Sequence, residues 1–373
     1  MIPNSYYSQE GHGPFELIDI GALELEEGGT LLDCQLAVAT HGMLNAAKDN
    51  AVLVPTWYSG TSKIMEQTYI GSGRALDPAK YFIIIVNQIG NGLSTSPHNA
   101  RGDLAGASFP KVRIGDDVRA QHRLITEKYG LHELALVVGG SMGAQQTYEW
   151  AVRYPDMVRR AAPIAGTAKN TEHDFLFAEV LIDAITSDPG FQGGRYTSPA
   201  DVAAGLKRHA KIWTVMGWST EFFSQNRHKA LGFDSMQTFV DSFMTGYFAP
   251  MDPNALLAMA WKWQRGDVSR HTNGNLAAAL GRIRAKTFVM PISHDMFFPP
   301  ADCLVEQRLI PNSEFRPLTS IDGHLGLFGT DANFLTQVNA NLNELLAIRL
   351  DHRSTEQSTT ERDSLQHGAR PHR

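Results

Sequence analysis

The sequence predicts an α/β protein, with a mostly parallel sheet, helices on both of its faces and a helical insert breaking the pattern. Three observations carry this prediction. Short β-rich runs alternate with helix-like stretches over residues 1–168, strand signals vanish over 169–280, and the alternation resumes over 281–350. The chain thus divides into two parts of one core, 1–168 and 281–350, a cap insert at 169–280, and a polar tail at 351–373.

The strand candidates of the first part are residues 34–40, 51–55, 81–87, 134–138 and 160–164, apolar runs of strand length. In the second part they are 286–292 and 313–318, with helix-like 301–309 between them. Within the insert, 175–185, 199–217, 235–248 and 254–264 read as amphipathic helices separated by Gly, Pro and Asp breaks. Such an insert is expected to cover the carboxyl edge of the sheet. It is rich in rings: Trp213, Trp218, Phe222, Phe223, Phe243, Tyr247, Phe248, Trp261 and Trp263. They offer either an apolar vestibule for an acyl chain or bulky alcohol, or plain packing between cap helices. Residues 351–373 carry no packing stripe and are expected to form a disordered tail.

The most informative local pattern is Gly139-Gly140-Ser141-Met142-Gly143, between the apolar run 134–138 and helix-like 144–154. A serine flanked by glycines at a strand-to-helix turn is how an α/β-hydrolase fold exposes its nucleophile. The backbone bends so sharply there that a Cβ on either flanking residue would collide with its neighbours. Glycine is common in this chain, 33 of 373 residues, so the strand before and the helix after matter more than the bare pattern. The bland reading is a Gly-rich turn capped by Ser141.

A nucleophilic serine needs a base and an acid, which in this fold follow it in the order Ser, Asp, His on loops after core strands. Asp295 stands after the strand candidate 286–292, and His324 after 313–318. Asp302 and Asp322 compete for the acid role, but Asp302 falls inside a helix-like segment and Asp322 is two residues from the histidine it would orient. In these roles Ser141 attacks an acyl carbonyl, His324 takes and returns the proton, and Asp295 fixes the imidazole tautomer. The oxyanion requires two N–H donors. Met142 follows the nucleophile at a helix start, where the dipole also favours negative charge. Tyr58, on the loop after 51–55, is the expected second donor. Loss of one such donor typically costs about 3–4 kcal/mol of transition-state stabilisation.

Beyond the triad loops, the stretches 40–45, 50–54, 73–82, 109–121 and 137–143, Glu149-Trp150-Ala151 and Arg153-Tyr154-Pro155-Asp156 resemble the homoserine O-acetyltransferase family. The resemblance runs from about residue 18 to 346 and is weakest in the insert. It implies an α/β-hydrolase fold, an acyl-serine intermediate, Ser141, Asp295 and His324 as the triad, and a homodimer formed through cap helices. The family's transferases hold the homoserine ammonium with an acidic residue directly after the catalytic histidine; here that residue is Leu325. Their arginine and tyrosine for the homoserine carboxylate fall at Ala210 and Gly217, with Arg208 near enough to compensate for an alignment slip. A buried ammonium left unpaired costs several kcal/mol, which argues against homoserine as acceptor.

Composition fits an enzyme of this kind, 43% apolar and 19% charged. A net charge of −6 without a long basic run argues against nucleic acid as the main partner. No apolar run reaches membrane-spanning length, and residues 1–15 lack the features of a signal peptide. Cys34 and Cys303 have no metal-ligand spacing and are expected to be buried thiols in a reducing, cytoplasmic setting. His173, His209, His228 and His271 of the insert form no convincing metal pair, and acyl transfer by a triad requires neither metal nor cofactor. The expectation is a serine hydrolase cleaving a small-molecule ester or thioester. The alternative is an acyltransferase that passes an acyl group from acyl-CoA to an alcohol other than an amino acid. A non-catalytic binding protein would show no covalent capture at Ser141.

Overall fold

The computed structural model describes residues 4–350, so the tail expected at 351–373 lies outside the described residues. Eight strands form one sheet in the order β1-β2-β4-β3-β5-β6-β7-β8. They are β1 (Glu16–Glu24), β2 (Thr30–His41), β3 (Ala51–Pro55), β4 (Phe82–Val86), β5 (Leu136–Gly140), β6 (Arg160–Ile164), β7 (Lys286–Val289) and β8 (Ser313–Phe315). β2 runs antiparallel to β1 and β4, and the remaining pairs are parallel. Every residue of β3 and β5 is buried, which is why both read in the sequence as unbroken apolar runs rather than alternating ones.

The longer helices are α1 (Ser62–Tyr69), α2 (Ile114–Arg123), α3 (Met142–Arg153), α4 (Glu172–Thr186), α5 (Ala203–Gly217), α6 (Pro253–Gln264), α7 (Pro300–Gln307) and α8 (Ala332–Ala347). Val118 of α2 and Tyr148 and Trp150 of α3 belong to the core on one face of the sheet. Met65 and Tyr69 of α1 and Phe334, Val338 and Leu342 of α8 belong to the core on the other. No helix among the described residues is long and apolar enough to cross a membrane.

β1 is absent from the sequence expectation. It lies at the sheet edge, only Ile18 and Leu23 along it are buried, and two register shifts flank Gly21 at φ 71°. Edge exposure and bulges erase the period-two signal. The run 286–292 is also not one continuous strand: the ladder stops at Val289 and continues as single bridges at Met290 and Ile292. Pro291, with no N–H to donate, sits between them.

Between β6 and β7 the described chain forms helices and turns, with one isolated bridge between Lys169 and Asp267. Residues 236–248 do not wind as one α-helix, because Phe239–Thr245 is a π-helix. The wider π winding, bonded from i to i+5, brings Phe239 and Met244 toward one buried face, which the tighter α winding would separate. α6 is fastened to the core by Lys262, whose Nζ donates to Asp117 of α2 and to Ile89 O at 2.7 Å, all within the interior. The N-terminal segment bridges the first part of the core and the insert. Asn4 donates to Pro250 O at 3.1 Å, Tyr7 OH accepts from Asp252 N at 3.1 Å, and His12 Nδ1 lies 3.0 Å from Thr61 Oγ1.

Candidate active site

Ser141 sits between the last residue of β5 and the first of α3 with φ 55° and ψ −124°, a left-handed conformation that a non-glycine residue adopts only under constraint. Its N–H is held by Ile164 O at 2.9 Å. The flanking glycines are a steric necessity: a Cβ on Gly139 would stand 2.5 Å from the Gly143 backbone, and one on Gly143 would stand 2.6 Å from Pro55 O. The sharp turn leaves Ser141 Oγ pointing at His324, whose Nε2 is 2.9 Å away.

His324 lies in a 3₁₀ turn, Gly323–Phe328, after β8, and its Nδ1 is 2.7 Å from Asp295 Oδ2. The other Asp295 oxygen accepts the N–H groups of Phe297 at 2.8 Å and Phe298 at 3.0 Å. An ionised carboxylate can only accept, so Nδ1 carries the proton, leaving Nε2 free to accept from the serine hydroxyl. All three residues are buried. The rival acids are placed elsewhere. Asp322 is paired with Arg227 at 3.1 Å and Thr330 at 2.6 Å, and Asp302 lies in the first turn of α7.

Met142 opens α3, where the first N–H groups have no acceptor within the helix and the dipole is positive. Tyr58 follows β3 and, with Ser141 and His324, lines a cavity of about 20 Å³, room for little more than one water. Trp57, Trp213, Met244, Phe248, Leu325 and Phe328 make its walls apolar. Of the insert's aromatic residues singled out in the sequence, Trp213 and Phe248 line this cavity. Trp218, Phe222 and Phe243 pack around Phe239, and Trp261 stacks beneath Arg265 at 4.2 Å.

Leu325 does occupy the position next to His324 and faces the cavity, resting against Gly217, where a Cβ would come 2.7 Å from its Cδ1. Arg208 does not compensate for the missing carboxylate ligand: its guanidinium is spent on Ala184 O at 3.0 Å and Ser187 Oγ at 3.2 Å. Ala210 of α5 is fully buried. Cys34 and Cys303 are buried free thiols, and burial pushes Cys34 up to about 12. Among the described residues no group of three His, Cys, Asp or Glu side chains could hold a metal ion. What sequence reasoning misses is the Tyr58 side chain. Its hydroxyl lies 3.0 Å from His209 Nε2 and donates to Leu256 O at 3.1 Å, a long-range pairing with no local signal.

The family model described as alpha/beta hydrolase fold matches residues 52–328. An ethyl acetate hydrolase of Pseudomonas veronii is 73% identical over 344 residues, 92% of this chain and 99% of its own length. The crystal structure of the acetyl esterase MekB superposes with a TM-score of 0.92 at 73% identity, over 92% of this chain and all of that one. The homoserine O-acetyltransferase of Thermobifida fusca is 34% identical over 356 residues, 87% of this chain and 91% of its length, so the resemblance noted in the sequence is real but more distant. The chain belongs to the α/β-hydrolase family, and within it is a serine hydrolase.

Proposed function

We propose that this enzyme hydrolyses acetyl esters of small alcohols through an acetyl-Ser141 intermediate. The observation that carries the reading is the cavity at Ser141 Oγ, about 20 Å³ and walled by Trp213, Phe248 and Leu325, which suits a methyl group better than a long acyl chain. The relatives named as an ethyl acetate hydrolase and an acetyl esterase support the same substrate class. Ser141 Oγ adds to the carbonyl carbon while its proton passes to His324 Nε2, and the carbonyl electron pair moves to the oxygen, facing Met142 N–H and Tyr58 N–H. His324 returns the proton to the alkoxide as the C–O bond breaks. Water then adds to the acetyl carbonyl carbon as one of its protons passes to His324 Nε2. The tetrahedral adduct collapses with cleavage of the bond to Ser141 Oγ, which takes the proton back from His324 as acetic acid leaves and ionises to acetate.

An amino-acid acceptor is disfavoured because the cavity offers no carboxylate for its ammonium, with Leu325 in that place. Among the described residues lining it there is no lysine or arginine to hold the phosphates of an acyl-CoA. Two buried, unpaired thiols support a reducing cytoplasmic setting, and the exposed Phe175, Leu176 and Val180 on α4 support a homodimer through the cap, readable by light scattering.

The test is p-nitrophenyl and ethyl esters of acetate, propionate and butyrate, with acetyl-CoA as a second donor and a panel of alcohols. A Ser141-dependent burst, fastest with acetate and with release indifferent to alcohols, is the expected result. Preference for butyrate would sink the acetyl assignment, and turnover that needs an alcohol and yields its ester would make the enzyme a transferase. Ser141→Ala should lose at least about a thousandfold in kcat, together with covalent capture of an organophosphonate seen by mass spectrometry.

A further inference from the structure

Two consecutive residues of the loop after β3 are held by the cap. Tyr58 OH meets His209 Nε2 of α5 and Leu256 O of α6, and Ser59 meets Tyr247, which donates to Ser59 O at 3.1 Å and lies 3.2 Å from Ser59 Oγ. The protons can be assigned. The single Tyr58 hydroxyl hydrogen goes to Leu256 O, so the bond to His209 is made by Nε2–H donating to the phenol oxygen. Tyr247 spends its hydrogen on Ser59 O, so Ser59 Oγ–H donates to Tyr247.

His209 is fully buried, and its Nδ1 has no hydrogen-bond partner among the described residues. Burial holds the ring neutral, pushed down to about 3. Packing alone does not account for a neutral imidazole with one nitrogen left unpaired, since an apolar side chain would fill the space without that cost. What the imidazole supplies is one N–H, aimed at Tyr58. The Tyr58 ring also packs at a tilt against Trp213 at 5.5 Å and Trp263 at 5.9 Å between ring centroids.

We propose that the cap sets the oxyanion hole: the Tyr58 phenol is a positioning group that, through His209 and Leu256, aims Tyr58 N–H at the carbonyl oxygen of an ester on Ser141, with Tyr247 fixing the next residue in the same way. The proposal rests on the reading of Ser141 as nucleophile and Tyr58 N–H as donor. It gives the cap a part in bond making, beyond enclosing the substrate. The backbone donor is worth most when the oxygen becomes negative, so slack in the loop should act on the transition state and leave ground-state binding nearly untouched.

The experiment compares Tyr58→Phe, Tyr247→Phe, His209→Gln and His209→Leu in kcat and KM for p-nitrophenyl acetate. A trifluoromethyl ketone, whose serine adduct carries an oxyanion, is titrated in parallel, and melting is followed by circular dichroism. Tyr58→Phe should lower kcat by about 10-fold to 100-fold with KM changed by less than about threefold, and should weaken the ketone by the same factor. His209→Gln, which keeps an N–H donor, should recover much of what His209→Leu loses. Tyr247→Phe, at the less buried tie, should show the same pattern in milder form, and it decides the matter if Tyr58→Phe does not fold. Retention of kcat and ketone affinity within about twofold in both tyrosine variants would overturn the proposal, as would a loss confined to KM. Ser141→Ala is run beside them: if it keeps activity, or phosphonate labels another residue, the reading of the site fails whatever Tyr58 does.

Discussion

Trp213 has two duties that substitution should separate. Its ring packs against Phe297 at 5.3 Å and stands 6.4 Å from the His324 ring, and it also walls the cavity beside Ser141. Trp213→Ala should cost about 3–5 kcal/mol of stability, seen in denaturant melts, while raising butyrate over acetate hydrolysis by about tenfold or more. An unchanged chain-length profile would place the limit on Phe248 or Leu325 instead. His209 makes a pH prediction. Its ordinary value is 6.5 and the folded chain holds it near 3, so the unfolded chain binds the extra proton between those values. The contribution is complete above pH 6.5 and is lost as pH falls from there toward 3, by about 1.4 kcal/mol per unit. The drop in Tm between pH 7 and pH 5 should therefore be smaller in His209→Gln. At this scale the sequence, through its loops after core strands, pointed to Ser141, Asp295 and His324, whose side chains the structure brings together. It was unreadable for the cavity wall, because nothing local distinguishes Trp213, which lines it, from Trp218, which packs against Phe222 at 4.3 Å.

Between elements, two buried charges act as fasteners. Lys262 of α6 and Asp117 of α2 pair in the interior, and Asp117 also accepts Ile89 N at 2.7 Å. Lys262→Met alone should destabilise by about 3–5 kcal/mol, because it strands a buried carboxylate. Adding Asp117→Leu should return part of that loss, with the shortfall set by the Ile89 N–H left unpaired. Glu306 of α7 accepts Ala168 N at 2.6 Å and Lys169 N at 3.0 Å, where the chain leaves β6 for the cap, and burial pushes its carboxyl up to about 8. The folded protein then keeps a proton that the unfolded chain loses above its ordinary 4.5, so stability from this group falls as pH rises from 4.5 to 8. Glu306→Gln should flatten that part of the Tm profile. Elements whose burial is continuous, such as β3 and β5, were legible because both faces demand apolar residues. β1 escaped through its bulges at Gly21, and the π-helical Phe239–Thr245 because a helical apolar stripe does not reveal a change of winding.

For the whole molecule, the N-terminal segment is a strap across core and cap, through Asn4 to Pro250, Tyr7 to Asp252 and His98, and His12 to Thr61. Deleting residues 1–13 should lower Tm and speed proteolysis within the cap. Its effect on kcat should exceed that on KM, because Pro250 and Asp252 lie just beyond Tyr247. None of this was visible in the sequence, where residues 1–15 read only as a polar start. The ties from cap to loop at Tyr58 and Ser59 also bear on how such an enzyme can diversify. A cap exchanged between relatives, by recombination or in the laboratory, would have to bring its own N–H donor in the place of His209, and a hybrid without one would bind new esters yet turn them over slowly. Specificity and rate are therefore tied together in this chain, and substrate changes that keep these ties intact should cost the least rate.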